Sequence, residues 1–184
     1  MNSPYMGRFR VTQQYKGDNH DGLDLVGIDS KEIHSTVKGV VQYAGWENSE
    51  DRSQGFGQYV CIQAGDGDYY YFGHLSELRV HTGQKVEITD VIGVEGCTGY
   101  TIPKGQAGSH CHYCIRPRFV GGVPGNHRNV SLISGIPNEL GVYDDGYRPQ
   151  NVTAQVTSST KGGSITAEIE VNGKKYRGTL SEIN

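Results

Sequence analysis

The sequence predicts an all-β protein, and three observations carry this prediction. The 184 residues include 27 glycines, about twice the usual share. The apolar residues come in short runs that Gly, Asp and Asn interrupt, and long stretches with helical periodicity are absent. Short β-rich runs separated by turn signals are typical of antiparallel sandwiches and barrels. We therefore expect antiparallel sheets in a sandwich-like arrangement.

The predicted strands follow one another between turn-forming residues. The runs are 40–44, 59–62, 69–72, 86–88, 91–94 and 112–120. One short helix is plausible around 130–140, where Gly135 and Pro137 interrupt it. Proline lacks the N–H that a helix interior needs, so this helix cannot be long.

A domain boundary is predicted near 143–149, a polar, turn-forming segment that ends in Pro149. We therefore divide the chain into a main domain, 1–142, and a C-terminal β extension, 143–184. In the extension, 152–157 is a predicted strand, and Asn172-Gly173 joins the runs 165–171 and 174–180. Asn-Gly between two such runs is a strong hairpin signal. An extension of this size is near the lower limit for independent folding, so it either docks on the main domain, pairs with another chain, or forms part of a binding module.

Composition excludes several classes of protein. The net charge of −3 gives no electrostatic footprint for nucleic acid. No apolar run approaches the roughly 20 residues that span a bilayer. The first residues lack the cationic and apolar segments of a signal peptide, so we expect synthesis in the cytoplasm with reduced thiols. Four cysteines are also too few for a disulfide scaffold of this length.

The segment His20-Asp21-Gly22-Leu23-Asp24 is the first of three candidate chemical sites. Histidine and aspartate are both zinc ligands. Four residues of extended strand cover roughly 13 Å, too far for His20 and Asp24 to share one ion. A bend is therefore required, and we assign it to Gly22, the residue that most easily permits one.

Two further sites contain histidine. In Ser109-His110-Cys111-His112-Tyr113, strand alternation projects His110 and His112 to one side and Cys111 to the other. Two imidazoles on one face suggest metal binding or paired acid–base chemistry. His74, in Phe72-Gly73-His74-Leu75-Ser76, lies at the end of a tyrosine-rich strand. If that strand is regular, Tyr70, Phe72 and His74 share one face.

The three sites occur in this order in a glycine-rich β background, and together they resemble the lysostaphin-type zinc peptidases that cleave peptidoglycan. The resemblance spans about residues 7–140. Its other parts are Gln13-Gln14-Tyr15, the segments 39–45, 55–60 and 80–83, Val86, Ile92-Gly93, the turn Gly96-Cys97-Thr98-Gly99, and Gly108-Ser109.

The resemblance implies one Zn²⁺ per chain, held by His20, Asp24 and His112, in a peptidase domain with a groove. His74 and His110 would be the catalytic pair, with the choice of general base left open. The implied activity is an endopeptidase that cuts peptidoglycan stems or crossbridges. Its expected setting is a phage or prophage endolysin, or a tail-associated lysin, that acts at the bacterial cell wall. The extension 143–184 would then serve in wall binding or homodimerisation.

Three alternatives remain open at this point. The first is a non-catalytic scaffold or wall-binding module on the same fold. The second is a structural zinc site that combines Cys111 and Cys114 with His110 or Cys97. The third is a cysteine–histidine amidase that uses Cys61 and His74. The chain also departs from the family pattern at two positions: Cys114 stands where relatives often carry a carboxylate, and Cys97 stands where Asn or Ser is common. These departures would alter hydrogen bonding near the site or make the protein sensitive to oxidation.

The other three histidines lie in polar segments. We predict that His34, His81 and His127 are surface residues, although a loop could bring His127 to the cleft.

Overall fold

A computed structural model describes residues 1–120 and 123–146, together with the strand backbones 152–155, 165–171 and 174–180. The chain divides into two compact units, Met1–Tyr147 and Arg148–Asn184. Strand β11, Gly141–Asp144, pairs with the first strand of the chain and so belongs to the first unit.

The described residues confirm the all-β prediction, and every strand pair in them is antiparallel. In chain order, the elements are β1 Arg8–Gln13, β2 Gly22–Gly27, β3 Glu32–His34, β4 Gly39–Trp46, β5 Gln58–Ala64, β6 Tyr69–Leu75, β7 Glu77–Leu78, β8 Lys85–Val86, β9 Val91–Val94, a 3-10 turn over Gln106–Gly108, β10 Cys111–Arg116, α1 Val130–Ser134, β11, β12 Val152–Gln155, β13 Ile165–Val171 and β14 Lys174–Leu180.

The order of strands in the large sheet brings distant segments together. The eight strands run β11-β1-β2-β10-β6-β5-β4-β8, so β10 lies between β2 and β6. In this register His112 of β10 is opposite Asp24 of β2 on one side and Gly73 of β6 on the other. The candidate site residues therefore gather at the centre of the sheet.

The main core packs against one face of this sheet. Alternate residues of the central strands, such as Leu23, Leu25, Tyr113 and Ile115, are fully buried. They pack against Ile33 and Ile92 of the small sheet β3-β9-β7, and together these residues form one continuous apolar cluster. The two sheets thus form the sandwich-like arrangement that the sequence predicts.

The opposite face of the large sheet carries a second, smaller cluster, Tyr59, Cys61, Tyr71 and Cys114. Tyr71 belongs to this cluster, whereas its neighbours Tyr70 and Phe72 belong to the main core. Tyr70 and Phe72 therefore share one face, as a regular strand predicts, whereas His74 leaves that face and lies near His112. His74 has φ 62°, and this left-handed conformation breaks the regular alternation at the end of β6.

The helix and the extension follow their sequence signals. Helix α1 is five residues long; Asn129 caps its start, and Gly135, with φ 72°, ends it. In the second unit, β12, β13 and β14 form an antiparallel sheet, with Val171 opposite Lys174. The turn predicted at Asn172-Gly173 lies outside the described residues. None of the helices described is long and apolar enough to cross a bilayer.

Candidate metal centre and its histidines

Three ligand-type atoms converge at the centre of the large sheet. Asp24 Oδ1 lies 3.1 Å from His20 Nε2 and 2.9 Å from His112 Nδ1. Donor atoms about 2.0–2.1 Å from a tetrahedral zinc ion lie roughly 3.3 Å from one another. Two imidazoles and one carboxylate at these separations fit a divalent metal ion such as zinc, and they form a group that could hold one.

A tight turn closes between Gly17 and His20, just before strand β2. The N–H of His20 donates to the carbonyl of Gly17, and the N–H of Lys16 donates to the carbonyl of His20. Gly17 has φ 62°, which favours glycine. His20 Nδ1 donates to the carbonyl of Gln14 at 2.7 Å, so its Nε2 lone pair is directed at Asp24.

Gly22 has a different role from the one predicted. It begins strand β2, and its φ is not in the left-handed region. A Cβ atom at this position would lie 2.6 Å from the carbonyl oxygen of Tyr113 and 2.7 Å from His112 Nε2. Glycine is therefore needed here because the His112 ring occupies the space of a side chain.

The His112 ring is fixed on several sides. Its Nδ1 faces Asp24, while its Nε2 lies 3.1 Å from Asp21 Oδ1. The ring also stacks on Phe56, with centroids 5.2 Å apart and an angle of 27° between the planes. His112 is 6% exposed.

The other two predicted site histidines lie beside this group. His74 and His110 have ring centroids 4.6 Å apart, and His110 Nε2 is 3.5 Å from Asp24 Oδ1. His74 Nδ1 donates to the carbonyl of Thr98 at 2.8 Å, and His110 Nδ1 donates to the carbonyl of Gly108 at 2.7 Å. In both rings a backbone carbonyl therefore accepts a hydrogen bond from Nδ1–H, and Nε2 is the nitrogen that can exchange protons.

All five residues line one cavity of about 310 Å³. The remaining lining residues are Gln13, Tyr100, Thr101 and Ile102. Tyr100 and Ile102 are 62% and 75% exposed, so the cavity has an apolar rim. The cavity gives a bound substrate access to the histidines.

Burial and neighbouring charges shift several pKa values at the site. Burial lowers the pKa of His74 to about 4, and the adjacent His110 acts in the same direction. Burial would raise the pKa of Asp24, but the close imidazoles of His112 and His20 hold it well below its usual value. Burial would lower the pKa of His112, but the adjacent carboxylates of Asp21 and Asp24 outweigh burial and raise it. A neutral His74 and an ionised Asp24 are the forms that metal-assisted hydrolysis requires.

Sequence reasoning missed two residues, Asp21 and Arg116. Arg116 makes two hydrogen bonds to Asp21 Oδ2, at 3.0 Å from Nε and 2.7 Å from Nη2. Burial would raise the pKa of Asp21, but His112 and Arg116 together lower it. A signal was available for Arg116, because strand alternation places His112, Cys114 and Arg116 on one face of β10.

The cysteines do not support the alternatives that use them. Cys111 lies in the main core, whereas Cys114 lies in the cluster on the opposite face of the sheet. Two residues on opposite faces of one strand cannot share an ion. Burial raises the pKa of the Cys61 thiol to about 12, which disfavours it as a nucleophile. Cys114 does form part of a second group of donors with Asp21 and His112.

The remaining histidines differ in their surroundings. His34 is 6% exposed and bonds to the carbonyl of Thr89, so its prediction as a surface residue is wrong. His81 is exposed, as predicted. His127 bonds to Tyr15 and Asp18, and it lines a cavity beside His20.

The sequence is similar to that of known peptidases. The model of peptidase family M23 matches residues 18–128. An L-Ala–D-Glu endopeptidase from Bacillus subtilis is 36% identical over 100 residues, which cover 51% of this chain and 28% of that protein. The glycyl-glycine endopeptidase ALE-1 from Staphylococcus capitis is 30% identical over 86 residues, 46% of this chain and 22% of that protein. The chain spans less than a third of the length of the curated relatives it matches.

Solved structures share the fold. The catalytic domain of a mutant of the prophage-encoded M23 protein EnpA from Enterococcus faecalis is 27% identical, with a TM-score of 0.52. That match covers 70% of this chain and 94% of EnpA's domain. The catalytic domain of lysostaphin from Staphylococcus simulans has a TM-score of 0.53 at 22% identity, covering 68% of this chain and 89% of that domain.

Proposed function

The chain belongs to peptidase family M23, and we propose that it is a zinc-dependent endopeptidase that hydrolyses peptide bonds of peptidoglycan. The observation that carries this proposal is the convergence of His20, Asp24 and His112 beside the pair His74 and His110. All five residues line one open cavity.

His20, Asp24 and His112 are the proposed ligands of the metal. When bound, Zn²⁺ supplies Lewis-acid chemistry, which activates water and polarises the scissile carbonyl. Three protein ligands leave a coordination position free, as catalytic zinc sites do. Asp24 also lies within 3.5 Å of His110 Nε2, so one carboxylate joins the ligand set to the proposed catalytic pair.

His74 and His110 carry the proposed proton transfers. Their Nδ1 protons are held by the carbonyls of Thr98 and Gly108, which leaves Nε2 of each ring free to act. The low pKa of His74 keeps its ring neutral near neutral pH, as a general base must be. One ring accepts the proton of the attacking water, and the other donates a hydrogen bond to the oxyanion or a proton to the leaving amine.

The proposed substrate class follows from the relatives. One matched protein is an L-Ala–D-Glu endopeptidase and another is a glycyl-glycine endopeptidase. Both names support a peptide substrate in the bacterial cell wall, although they specify different bonds. The similarity to prophage-encoded EnpA supports a phage or prophage lysin that acts at the wall. We propose that the extension 143–184 is an accessory element that binds the wall or mediates homodimerisation.

Metal content measured together with wall hydrolysis tests the proposal. The purified protein should contain about one zinc per chain and should reduce the turbidity of purified cell walls, and a chelator should abolish this activity until zinc is restored. His81→Ala is a matched control, because His81 is exposed and outside the site. A protein that neither binds zinc nor lyses walls after zinc addition would overturn the proposal and favour a scaffold role.

If hydrolysis occurs, mass spectrometry of the released fragments identifies the bond. New N-terminal glycine would indicate a crossbridge bond, and new N-terminal glutamate would indicate a stem bond. Hydrolysis of sugar linkages alone would contradict an endopeptidase.

A further inference from the structure

His112 lies between two carboxylates that contact different atoms of its ring. Asp24 Oδ1 is 2.9 Å from Nδ1, on the side of His20. Asp21 Oδ1 is 3.1 Å from Nε2, on the opposite side. With a metal on Nδ1, the remaining proton of the neutral His112 ring lies on Nε2, where Asp21 Oδ1 accepts its hydrogen bond.

Arg116 holds Asp21 in this position. Two guanidinium nitrogens, Nε and Nη2, bond Asp21 Oδ2 at 3.0 and 2.7 Å. The third, Nη1, donates to the carbonyl of Val120 at 3.1 Å. Arg116 is only 4% exposed, and its guanidinium carbon lies 4.8 Å from the Tyr71 ring centroid and 5.1 Å from that of Phe56. The buried Arg116 donates both bonds to Oδ2, which restrains the Asp21 carboxylate and leaves Oδ1 for His112.

Asp21 also supplies a carboxylate that strand β10 itself lacks beside His112. Cys114 is on the strand face of His112 and Arg116, where the family resemblance leads us to expect a carboxylate. A neutral thiol is a weaker hydrogen-bond acceptor than a carboxylate. Asp21, supplied from the turn before β2, provides a carboxylate from a different part of the chain.

We propose that Asp21 and Arg116 are positioning residues, which set the orientation and the protonated nitrogen of His112 for metal binding. This inference rests on the proposed function, because it assigns His112 to the metal. Partners of this kind orient metal-ligating histidines generally, and their loss typically lowers metal affinity about 10–100-fold.

A second metal ion at Asp21, His112 and Cys114 is the competing interpretation, since these three residues also form a group of donors. The position of Arg116 disfavours it. A guanidinium already bonds Asp21 at 2.7 Å, and a divalent cation on the same carboxylate would meet this positive charge. His112 Nε2 would also have to lose the proton that Asp21 accepts.

Zinc affinity of the intact chain, measured by competition with a chromophoric chelator, tests the inference without using enzyme activity. Asp21→Ala should raise the zinc Kd about 10–100-fold. Asp21→Asn keeps a hydrogen-bond acceptor without the charge and should recover part of the affinity. Arg116→Met should weaken binding, and Arg116→Lys should weaken it less. Asp18→Asn is the matched control, because Asp18 belongs to the same turn but bonds His127 and Gly125.

The visible spectrum of the Co²⁺-substituted protein gives a second readout that reports ligand geometry. The spectrum of Asp21→Asn should shift from that of the parent, whereas that of Asp18→Asn should not. Zinc affinity of both Asp21 variants within twofold of the parent would overturn the inference. Two zinc ions in the parent and one in Asp21→Ala would overturn it in favour of a second metal site.

Failure of this inference is distinguishable from failure of the proposed function. A parent protein that binds one zinc but does not hydrolyse cell walls would contradict the proposed activity alone. Unaltered zinc binding in the Asp21 variants of a parent that does hydrolyse walls would contradict the positioning role alone. If Asp21→Ala does not fold, Asp21→Asn and Arg116→Lys, which change the side chains less, decide the question.

Discussion

Asp24 Oδ1 lies 2.9 Å from His112 Nδ1, although the two residues are 88 positions apart in the chain. The same oxygen is 3.1 Å from His20 Nε2 and 3.5 Å from His110 Nε2. One buried carboxylate therefore contacts three histidines from two separate motifs. The antiparallel pairing of β2 and β10, with Asp24 opposite His112, produces this arrangement.

Asp24→Ala should abolish stoichiometric zinc binding and wall hydrolysis together. The substitution removes one of three proposed ligands and leaves two imidazoles, which hold a divalent ion much less tightly. Metal analysis after dialysis and a turbidity assay measure the two effects. Glu50→Gln, a change at an exposed carboxylate, serves as the control and should alter neither. Lysis that persists in Asp24→Ala would refute the metal mechanism.

His110→Ala and His112→Ala should have different effects, although the two residues are only two positions apart. His110→Ala should keep its zinc and lose at least about 100-fold in kcat, because it removes a proposed proton-transfer group. His112→Ala should lose the zinc itself. Metal content and steady-state kinetics of both variants separate the roles, and the reverse pattern would exchange the two assignments.

Gly22→Ala should weaken zinc binding without any change in the ligands themselves. The new Cβ would lie 2.7 Å from His112 Nε2 and 2.6 Å from the Tyr113 carbonyl, so the His112 ring or the strand must shift. Chelator competition measures the loss, which we expect to exceed tenfold. Gly65→Ala is the control, because no atom lies within 4 Å of a Cβ there. Equal zinc affinity in both variants would show that His112 tolerates the displacement.

Glu95→Ala should lower the free energy of unfolding by about 3 kcal/mol. The buried carboxylate accepts hydrogen bonds from Tyr5, Gly27, Lys31 and Ser109 at 2.6 to 2.8 Å, so its loss leaves buried donors without an acceptor. Urea unfolding monitored by circular dichroism gives the value.

Glu87→Gln is the control for that substitution. Glu87 pairs with Lys38 on the surface, where both side chains are mostly exposed, so the change should stay within about 0.5 kcal/mol. Comparable destabilisation in the two variants would contradict a structural role for the buried network.

Ile102→Ser should raise KM severalfold while kcat changes little. Ile102 is 75% exposed at the rim of the cavity that contains the histidines, where it can contact substrate without taking part in proton transfer. Loss of such a contact weakens the ground state and the transition state equally. Ile88→Ser, an exposed position outside this cavity, should leave both constants unchanged. An unchanged KM in Ile102→Ser would exclude the rim as a substrate contact.

Local patterns in the sequence predicted much of the fold. The runs around Val60 and Val91 are strands because β-branched residues are frequent there between turn formers. Gly135 ended the helix where the sequence indicated, since glycine readily adopts the left-handed conformation. The hairpin strands Ile165–Val171 and Lys174–Leu180 have the predicted bounds. Each of these features depends on neighbours in the chain.

The sequence by itself determined the set of chemical groups: His20 and Asp24 in one motif, His74 in a second, and His110 and His112 in a third. Only the tertiary structure decided which atoms meet. It placed His20 Nε2 at 3.1 Å from Asp24 Oδ1, buried His34, and joined Arg116 to Asp21 across 95 positions. Strand order and register set these contacts, and they follow from packing of the whole sheet, which local periodicity does not encode.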